Sequence, residues 1–345
     1  MERHYVGLDV SLEMTAVCVL DEAGAVVWRG KVASTPEAIA AAIRARAPHV
    51  ARVGLETGPL CTWHWHELRA LGMPVVCLDA RHAKAALSVQ LNKTDANDAY
   101  GLAQIVRTGW YKEVAVKSLD SHRLRTLLSS RAQLVNMRRD LGTKIRGVLK
   151  TFGKVVGKVS ERGYEARVRE LAAGEAGLEQ AVAALLAVRE RLEQQIGALE
   201  GRILGFAKRS DPCRRLVTIP GVGALTAVSF VAAVDDPARF GRSSGVGAYF
   251  GLTPRRHQSG EVDRDGKVSK CGDALTRTYL FEAAGALLSR VARWSALKAW
   301  GTRLARRVGS KKARVALARK LAVLMHRVWM DGTEFRWAKE EGAAA

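Results

Sequence analysis

Four acidic side chains in the first hundred residues have the types and spacing of a metal-binding site. Asp9 and Glu56 each end a short apolar run. Asp95 and Asp98 are three positions apart in a segment that resembles a helix, so they share one helix face. Carboxylates gathered closely repel one another unless a cation lies between them, and oxygen ligands favour Mg²⁺ or Mn²⁺. Two such ions ~3.5–4 Å apart stabilise the attacking and leaving oxygens of a phosphoryl transfer.

Each of these acids also has a simpler interpretation. Asp9 and Glu56 are suited to capping a strand end or a turn, and Asp95 is placed to be the N-cap of its helix. Asp98 is then a solvated acid of the first turn, where the helix dipole favours negative charge. Taken singly, the simpler interpretation is favoured for every acid. Taken together, with the strand order that follows, metal binding is favoured.

The elements that must position these acids alternate between strands and helices. The pattern predicts strands over 5–10, 15–20, 25–32, 52–56 and 74–78, and helices over 36–46, 61–71 and 95–106. Three strands followed by helix–strand–helix–strand–helix is the order of a ribonuclease-H-like domain, which is a mixed α/β fold. In such a sheet the first and fourth strands are neighbours and a late helix packs beside them. We therefore expect the four carboxylates to converge.

A second, helical region is predicted beyond this domain. Residues 118–150 have a basic, helical composition, and a stripe with alternating spacings of four and three follows. The stripe consists of Leu178, Val182, Leu185, Leu192, Ile196, Leu199 and Ile203, with Arg189 at one seam position. Such a stripe is typical of a homodimeric coiled coil or of a helix packed inside its own chain, and both alternatives remain open.

The charge of the chain predicts a polyanionic partner. The 345 residues include 55 Lys and Arg against 34 Asp and Glu, a net charge of +21. Residues 1–110 contain 11 of each sign, so the whole excess lies beyond them. DNA or RNA is the commonest partner of such an excess. A hydrophobic content of 48% excludes a wholly disordered chain.

The cysteines and the apolar runs indicate the compartment. The five cysteines are scattered without a C-x-x-C pair, which argues against a zinc ribbon or a disulfide framework and fits a reducing cytosol. No basic-then-apolar leader opens the sequence and no apolar run approaches the ~20 residues of a membrane span. We expect a cytoplasmic protein of a bacterial cytosol, associated with the nucleoid and with no membrane partner.

A glycine motif in the last third predicts a phosphate contact. The run Ile219-Pro220-Gly221-Val222-Gly223 has the form of a helix-hairpin-helix turn. Its glycines allow a tight turn, and the following helix N-terminus can present N–H groups to a phosphate. Such contacts position a nucleic acid without reading its sequence. A plain helix–helix turn is the alternative.

Ser259 is a candidate nucleophile. It precedes a glycine and follows Arg255, Arg256 and His257. A serine that attacks phosphorus needs exposure, nearby cations and help with its proton, and the two arginines are candidates for those cations. From the sequence alone, a Ser-Gly turn in a basic loop is the favoured alternative.

The C-terminal helices are basic on a scale that predicts a nucleic-acid surface. No acidic residue occurs between Glu282 and Asp331, and Trp294, Trp300 and Trp329 are interleaved with the cations. This pattern predicts a helical surface that follows phosphates, with aromatic packing beneath it. The cations proposed to contact nucleic acid, in this stretch and in the loop before it, are Lys267, Lys270, Arg303, Arg306, Arg307, Lys311 and Lys312.

Several of these motifs resemble one known family. Gly7-Leu8-Asp9-Val10-Ser11, Glu56-Thr57-Gly58 and Lys93-Thr94-Asp95-Ala96-Asn97-Asp98-Ala99 resemble the acidic motifs of the DEDD insertion-sequence transposases of the IS one-ten family. Five further segments resemble the C-terminal transposase domain of that family. They are Pro220-Gly221-Val222-Gly223, Phe240, Gly251-Leu252-Thr253-Pro254-Arg255, Gln258-Ser259-Gly260 and Lys270-Cys271-Gly272-Asp273. The family often has Asn where Asp273 stands, which bears on a loop contact.

The resemblance implies an architecture and a mechanism. It implies a RuvC-like, ribonuclease-H-fold domain over 1–112, a coiled-coil linker and dimerisation region over 113–210, and a mostly helical transposase domain with a helix-hairpin-helix element over 211–345. It implies recombination of donor and target DNA guided by a structured bridge RNA. The tetrad corresponds to Asp9, Glu56, Asp95 and Asp98 with two Mg²⁺ or Mn²⁺ ions. Ser259 corresponds to the nucleophile, which forms a phosphoserine link in a tetramer assembled from dimers, with the acidic site and the serine on different protomers.

Two other functions remain open at this point. One is a metal-dependent junction resolvase or endonuclease in which water attacks and Ser259 is a bystander. The other is a non-catalytic nucleic-acid-binding protein whose four acids only cap helices and strands. All three functions share the basic surface, so salt dependence of binding does not distinguish them.

Overall fold

The computed structural model describes residues 2–88 and 92–337. The chain forms two compact units, residues 1–117 and residues 118–345. We refer to them as the sheet unit and the helical unit. Within the described part of the chain no helix is both long and apolar enough to cross a membrane.

The sheet unit is a mixed α/β structure. Its elements are β1 (His4–Asp9), β2 (Met14–Leu20), β3 (Val26–Ala33), α1 (Pro36–Arg46), β4 (Val50–Glu56), α2 (Cys61–Ala70), β5 (Val75–Leu78), α3 (Ala80–Leu87) and α4 (Asp95–Thr108). The five strands form one sheet in the order β3-β2-β1-β4-β5. β1 is antiparallel to β2 and parallel to β4, and β4 is parallel to β5. The predicted neighbourhood of the first and fourth strands is confirmed.

Buried aliphatic side chains explain why these segments form a sheet. Val6 and Leu8 of β1, with Val53 and Leu55 of β4, are fully or almost fully buried. Strands buried on both faces have nearly continuous apolar sequences, which is the pattern of these runs. Helix α3 was not predicted, although Asp79 caps it by accepting a hydrogen bond from the Arg81 N–H. An Ala-rich segment after an Asp N-cap was the available signal.

The helical unit begins with three helices that pack along one another. They are α5 (Leu119–Thr151), α6 (Glu161–Ala172) and α7 (Ala176–Arg209). Leu178 and Val182 of the predicted stripe share a core with Ile145 and Leu149 of α5. Ile203 belongs to a second core with other residues of the unit. The stripe is therefore covered largely by helices of its own chain, which was one of the two alternatives.

The remaining elements of the helical unit surround a larger core. They are α8 (Asp211–Leu216), α9 (Ala224–Val234), α10 (Gly245–Tyr249), β6 (Pro254–Ser259), β7 (Val262–Val268), α11 (Ala274–Ser289), α12 (Ala296–Val308) and α13 (Ser310–Met330). Phe230, Phe250 and Leu280 are fully buried in it, together with Leu128 from α5. Residues on both sides of position 210 therefore share one core. The division of function among the three predicted regions stays a prediction.

Candidate active site

Two glycines allow α4 to lie directly on the sheet. Gly7 of β1 and Gly54 of β4 are register partners on neighbouring strands. A Cβ on Gly7 would stand 2.1 Å from the Ala99 carbonyl oxygen, and a Cβ on Gly54 would stand 2.4 Å from a Val106 methyl carbon. The contact leaves no room for a side chain at either position. This close approach fixes where the N-terminal turn of α4 meets the carboxyl ends of the strands.

Asp9 and Glu56 lie at those carboxyl ends. Leu8 pairs with Leu55 across the parallel strands, so Asp9 and Glu56 follow at the next register position. Side chains alternate between sheet faces with period two, so each acid is on the same face as the glycine two residues before it. Neighbouring strands are ~4.8 Å apart. The two carboxylates therefore extend side by side beneath the start of α4.

The first turn of α4 contributes the third carboxylate. Thr94 is the N-cap, since its hydroxyl accepts a hydrogen bond from the Asn97 N–H, and this rules out Asp95 as the cap. Asp98 lines a cavity of about 350 Å³ together with Asp9 and Glu56. We call this cavity the acidic pocket. Its other lining residues are Ala80, Lys84, Leu87, Ser88, Lys93 and Leu102.

Asp95 does not join the other three acids in this pocket. Its carboxylate forms an ion pair with Lys31 of β3 at 2.7 Å, and its side chain is 62% exposed. Lys31 lies in register with Ala16, which in turn pairs with Asp9, so this lysine shares the face covered by α4. The hydrogen bond and the charge of Lys31 lower the pKa of Asp95. Three of the four acids therefore line one pocket, and their convergence on a shared metal ion stays a prediction.

The acidic pocket disfavours negative charge in the absence of a cation. Burial raises the pKa of Asp9, and the nearby charges of Asp98 and Asp95 raise it further. Burial also raises the pKa of Glu56, followed by the charges of Asp9 and Asp98. Lys93 opposes both shifts. Carboxyl groups that raise one another's pKa in this way are those that a bound cation would stabilise in the ionised form.

The donor set suits a hard divalent cation. Its oxygen ligands come from three carboxylates, which favour Mg²⁺ or Mn²⁺ over softer metals. Within residues 2–88 and 92–337, however, no three Asp, Glu, His or Cys side chains are gathered closely enough to form a ready ligand set. The carboxylates share the acidic pocket but must move toward one another to bind a common ion.

Ser259 lies at the tip of an exposed hairpin in the helical unit. It ends β6, pairs with Val262 of β7, and is followed by Gly260 in the left-handed region at φ 54°. All six residues of β6 and the first six of β7 are exposed. The exposure that a nucleophile needs is present.

The hairpin register separates one of the two predicted arginines, Arg256, from the serine. Arg256 lies on the face opposite to Ser259. Its guanidinium forms a bidentate ion pair with the carboxylate of Asp263. Arg255 donates a hydrogen bond to the Ser269 carbonyl oxygen. Arg264, which pairs with His257, lies on the same face as Ser259. Sequence reasoning missed Arg264 because its signal is the strand register.

Gly221 and Gly223 have different surroundings. Gly221 has a φ of 85°, and a Cβ there would stand 2.5 Å from the Ala283 carbonyl oxygen of α11. The positive φ and the close packing explain why position 221 is a glycine, and no bound phosphate is needed to account for it. Gly223 precedes α9, is exposed and has open space around it, so the predicted phosphate contact at Gly223 stays a prediction.

The predicted nucleic-acid cations fall into two groups. Lys267, Lys270, Lys311 and Lys312 line one cavity of the helical unit. Arg303, Arg306 and Arg307 are exposed on α12 and do not line it. Lys84 and Lys93 of the acidic pocket were not predicted as site residues, although Lys93 opens the motif that contains Asp95 and Asp98.

Comparisons with known proteins place the chain among transposases. A family model described as "Transposase IS116/IS110/IS902 family" matches residues 213–299, and a DEDD model described as "Transposase" matches residues 6–153. The transposase for insertion sequence element IS1111A of Coxiella burnetii is 31% identical over 333 residues, covering 93% of this chain and 88% of that protein. A putative transposase of Sinorhizobium fredii, y4pF/y4sB, is 30% identical and covers 80% of this chain and 72% of its own.

A shorter match connects the chain with a gene-inverting protein. The pilin gene-inverting protein of Moraxella bovis is 30% identical over 122 residues, covering 35% of this chain and 37% of that protein. The sheet with its acidic pocket and these matches together define an insertion-sequence transposase, which is a DNA-processing enzyme. The chain belongs to the IS110 family, written IS one-ten above, and the resemblance seen in its motifs is confirmed.

Proposed function

We propose that this transposase cleaves and rejoins DNA by metal-assisted phosphoryl transfer, with the acidic pocket as the metal site and Ser259 as the nucleophile. The observation that carries the proposal is the meeting of Asp9, Glu56 and Asp98 in one pocket at the carboxyl ends of two parallel strands. Acids brought together at such a cost in mutual repulsion are candidates for a functional site.

Asp9, Glu56 and Asp98 are the residues proposed to hold the divalent cations. Asp95 would join them by exchanging its exposed ion pair with Lys31 for a metal contact. When bound, Mg²⁺ or Mn²⁺ supplies charge stabilisation for the attacking and leaving oxygens of the phosphate. Lys84 and Lys93 line the same pocket and would hold the anionic DNA backbone near the acids.

In the proposed step the Ser259 hydroxyl oxygen forms a bond to phosphorus. The bond between phosphorus and one DNA oxygen breaks, the serine proton passes to water, and the departing DNA end takes up a proton as a free hydroxyl. Attack by the hydroxyl of another strand then reverses the serine link and joins the new strands. Arg264, on the same hairpin face as Ser259, would stabilise the negative charge on the phosphate oxygens.

Recognition of DNA is proposed to rely on base pairing with a guide RNA. Family membership supports this, as do the exposed cations of α12 and the lysines of the helical unit. A protein that leaves sequence reading to a guide needs mainly contacts to the backbone. We also propose that the chain works as a dimer that assembles to a tetramer in the bacterial cytosol. Copurification of one structured RNA and light scattering of the full chain test these two points.

The principal experiment detects the serine link. The full-length chain, purified with its RNA, is incubated with Mg²⁺ and labelled DNA carrying the ends of the element, and the products are separated on a denaturing gel. Wild type is expected to give a labelled protein–DNA adduct, and Ser259→Ala to give none. Ser310→Ala changes another exposed serine of the same unit and serves as the matched control. Equal adduct from Ser259→Ala would contradict the nucleophile.

A second candidate reaction uses water as the nucleophile. It is favoured by one observation, that the acidic pocket is assembled wholly from residues of the sheet unit. In that case the chain is a junction-resolving endonuclease and Ser259→Ala cleaves DNA normally without an adduct. If Asp9→Asn also leaves cleavage and exchange unchanged, neither reaction occurs at this pocket and the chain only binds nucleic acid.

A further inference from the structure

A large cavity in the helical unit has walls that are apolar. Its volume is about 1020 Å³, and it lies between the base of the β6–β7 hairpin and the helices α12 and α13. A cavity of this size accepts a group as large as a small organic ligand. Its apolar lining is made by Leu252, Pro254, Val268, Trp300, Val315, Ala316 and Val323.

The rim of the same cavity is cationic. Its charged lining residues are Lys267, Lys270, Lys311, Lys312, Arg319 and Lys320, and no acidic residue lines it. Lys320 lies over the Trp300 ring, 4.3 Å from its centroid. Within the described ranges 2–88 and 92–337, none of these six cations forms an ion pair. Among the described residues, therefore, no carboxylate neutralises the rim, and its charge suits an anion.

Tight backbone packing fixes the hairpin side of the cavity. A Cβ on Gly251 would stand 2.3 Å from the Cys271 nitrogen, and one on Gly272 would stand 2.1 Å from the Tyr249 carbonyl oxygen. Lys270 has a φ of 55° and donates its N–H to the Gly251 carbonyl oxygen. Because the loop is held this closely, Lys267 and Lys270 keep their place opposite the lysines of α13.

Charge alone does not explain this cavity. A surface that only follows phosphates needs exposed cations and no concave apolar floor. A floor with an aromatic ring beneath a ring of cations matches a strand that presents both a flat base and its phosphates. We propose that this cavity receives an unpaired nucleobase of a bound nucleic acid, while the flanking phosphates lie on the lysines of its rim.

The experiment compares binding to two labelled duplexes by fluorescence anisotropy. One duplex is fully paired, and the other has the same sequence with a single-nucleotide bulge. Full-length protein freed of RNA is used in EDTA, so that no cleavage occurs. The bulged duplex is expected to bind about tenfold more tightly, the effect expected for stacking of one base. Replacing the bulged nucleotide by an abasic one removes the preference without any change to the protein.

Two variants separate the apolar floor from the cationic rim. Ala316→Trp places an indole ring inside the cavity, where it competes with an entering base, and keeps the charge. It is expected to reduce the preference strongly while leaving affinity for the paired duplex unchanged. Lys311→Ala with Lys312→Ala weakens binding of both duplexes and lowers the salt slope by about two. Arg306→Ala with Arg307→Ala, on α12 and outside the cavity, is the matched control and keeps the preference. Circular dichroism checks folding.

The inference is overturned if wild type binds both duplexes equally, or if the abasic bulge binds as well as the complete one. It is also overturned if folded Ala316→Trp keeps the full preference. The assay measures binding without chemistry, so these results are independent of whether Ser259 forms an adduct. A missing adduct with an intact bulge preference would reject the proposed reaction and leave this site in place.

Discussion

The acidic pocket and the hairpin that carries Ser259 are held in opposite ways. Asp9 and Glu56 extend from neighbouring buried strands, under a helix whose position is set by two glycines. Ser259 lies at the end of a two-stranded ribbon whose residues are nearly all exposed. The first arrangement is fixed by the core of its unit, whereas isolated two-stranded ribbons are only marginally stable in water. The acids therefore belong to a part of the chain held by a buried core, whereas the serine depends on the exposed ribbon that carries it.

The largest effect is expected when a carboxylate of the pocket loses its charge. Glu56→Gln keeps the shape of the side chain but removes the charge of a proposed metal ligand, and we expect DNA cleavage to fall by at least about a hundredfold, as for loss of a transition-state contact. Glu37→Gln, an exposed first-turn acid of α1, is the matched control. Cleavage rates at saturating Mg²⁺ measure the difference. A small loss for Glu56→Gln would remove this acid from the metal site.

The next effect concerns the helix contact. Gly7→Ala places a methyl group against the Ala99 carbonyl oxygen, so α4 must move and the pocket must open. Strain of this kind costs about 1–3 kcal/mol, measured as the free energy of unfolding. Gly197→Ala in α7 has open space around it and should instead stabilise by about 0.5–1 kcal/mol. Unchanged stability and cleavage in Gly7→Ala would show that the pocket tolerates movement of α4.

A pair of arginines tests the hairpin without touching the core. Arg264→Ala removes the cation on the Ser259 face, and Arg256→Ala removes the one on the opposite face. We expect about a tenfold loss of adduct formation from Arg264→Ala, in keeping with loss of a charged contact to phosphate. Arg256→Ala should cost less, since Asp263 already occupies its guanidinium. Both variants should unfold at the wild-type temperature, and equal losses would refute the assignment by register.

The free energy of unfolding is expected to depend on pH through Asp273, the N-cap of α11. Burial alone would raise the pKa of Asp273, but the hydrogen bond from the Thr276 N–H and the charge of Arg125 bring that pKa below its ordinary value. A carboxyl group whose pKa is lower in the folded than in the unfolded protein stabilises the fold at pH values above the ordinary pKa of about 4. This stabilisation is lost as the pH falls through the lower pKa of the folded protein. Asp273→Ala should therefore lose about 1 kcal/mol at pH 7, typical of a lost N-cap.

Denaturant unfolding at several pH values checks this expectation. The difference between wild type and Asp273→Ala should shrink as the pH drops below about 4, where the carboxylate of the wild type becomes protonated. Asp273→Asn keeps the cap and loses only the charge, so it should lie between the two. A difference that does not change with pH would contradict an ionic contribution from Asp273.

The smallest effect is expected at the ion pair outside the pocket. Lys31→Ala releases Asp95 from its partner, so less metal should be needed for half-maximal cleavage. Exposed ion pairs are weak, and the change should therefore be less than about fivefold. Arg81→Ala, which removes an ion pair with Asp79 in the same unit, should leave the metal requirement unchanged. A higher metal requirement in Lys31→Ala would mean that the lysine assists the site.

The sequence predicted the parts of the site that depend on chain order. Strand order follows from alternating apolar runs, and strand order brings Asp9 beside Glu56. The sequence also predicted that Asp95 and Asp98 share one face of a helix. It did not predict the ion pair of Asp95 with Lys31, because Lys31 lies on β3, which is separated from β1 by β2. Contacts of this kind depend on side-chain position in three dimensions.

The hairpin shows the same limit. Its composition indicated a basic loop with a serine, and both Arg255 and Arg256 were predicted to stabilise the charge of the phosphate. Only the register shows that Arg256 faces Asp263 and that Arg264 accompanies Ser259. The helical stripe was ambiguous for a related reason, since the spacing of its apolar residues is the same whether a second copy or the chain itself covers it.

A two-residue turn follows Ser259. The face of the ribbon on which the serine lies therefore depends on whether an odd or an even number of residues is added to the strands. Lengthening both strands by two residues would carry the hydroxyl ~6.6 Å further outward while keeping it on the side of His257 and Arg264. Lengthening each by one, next to the serine, would move it to the side of Asp263, whose carboxylate already pairs with Arg256. An even number of added residues in each strand would therefore lengthen the reach of the serine while keeping it on the same face of the ribbon.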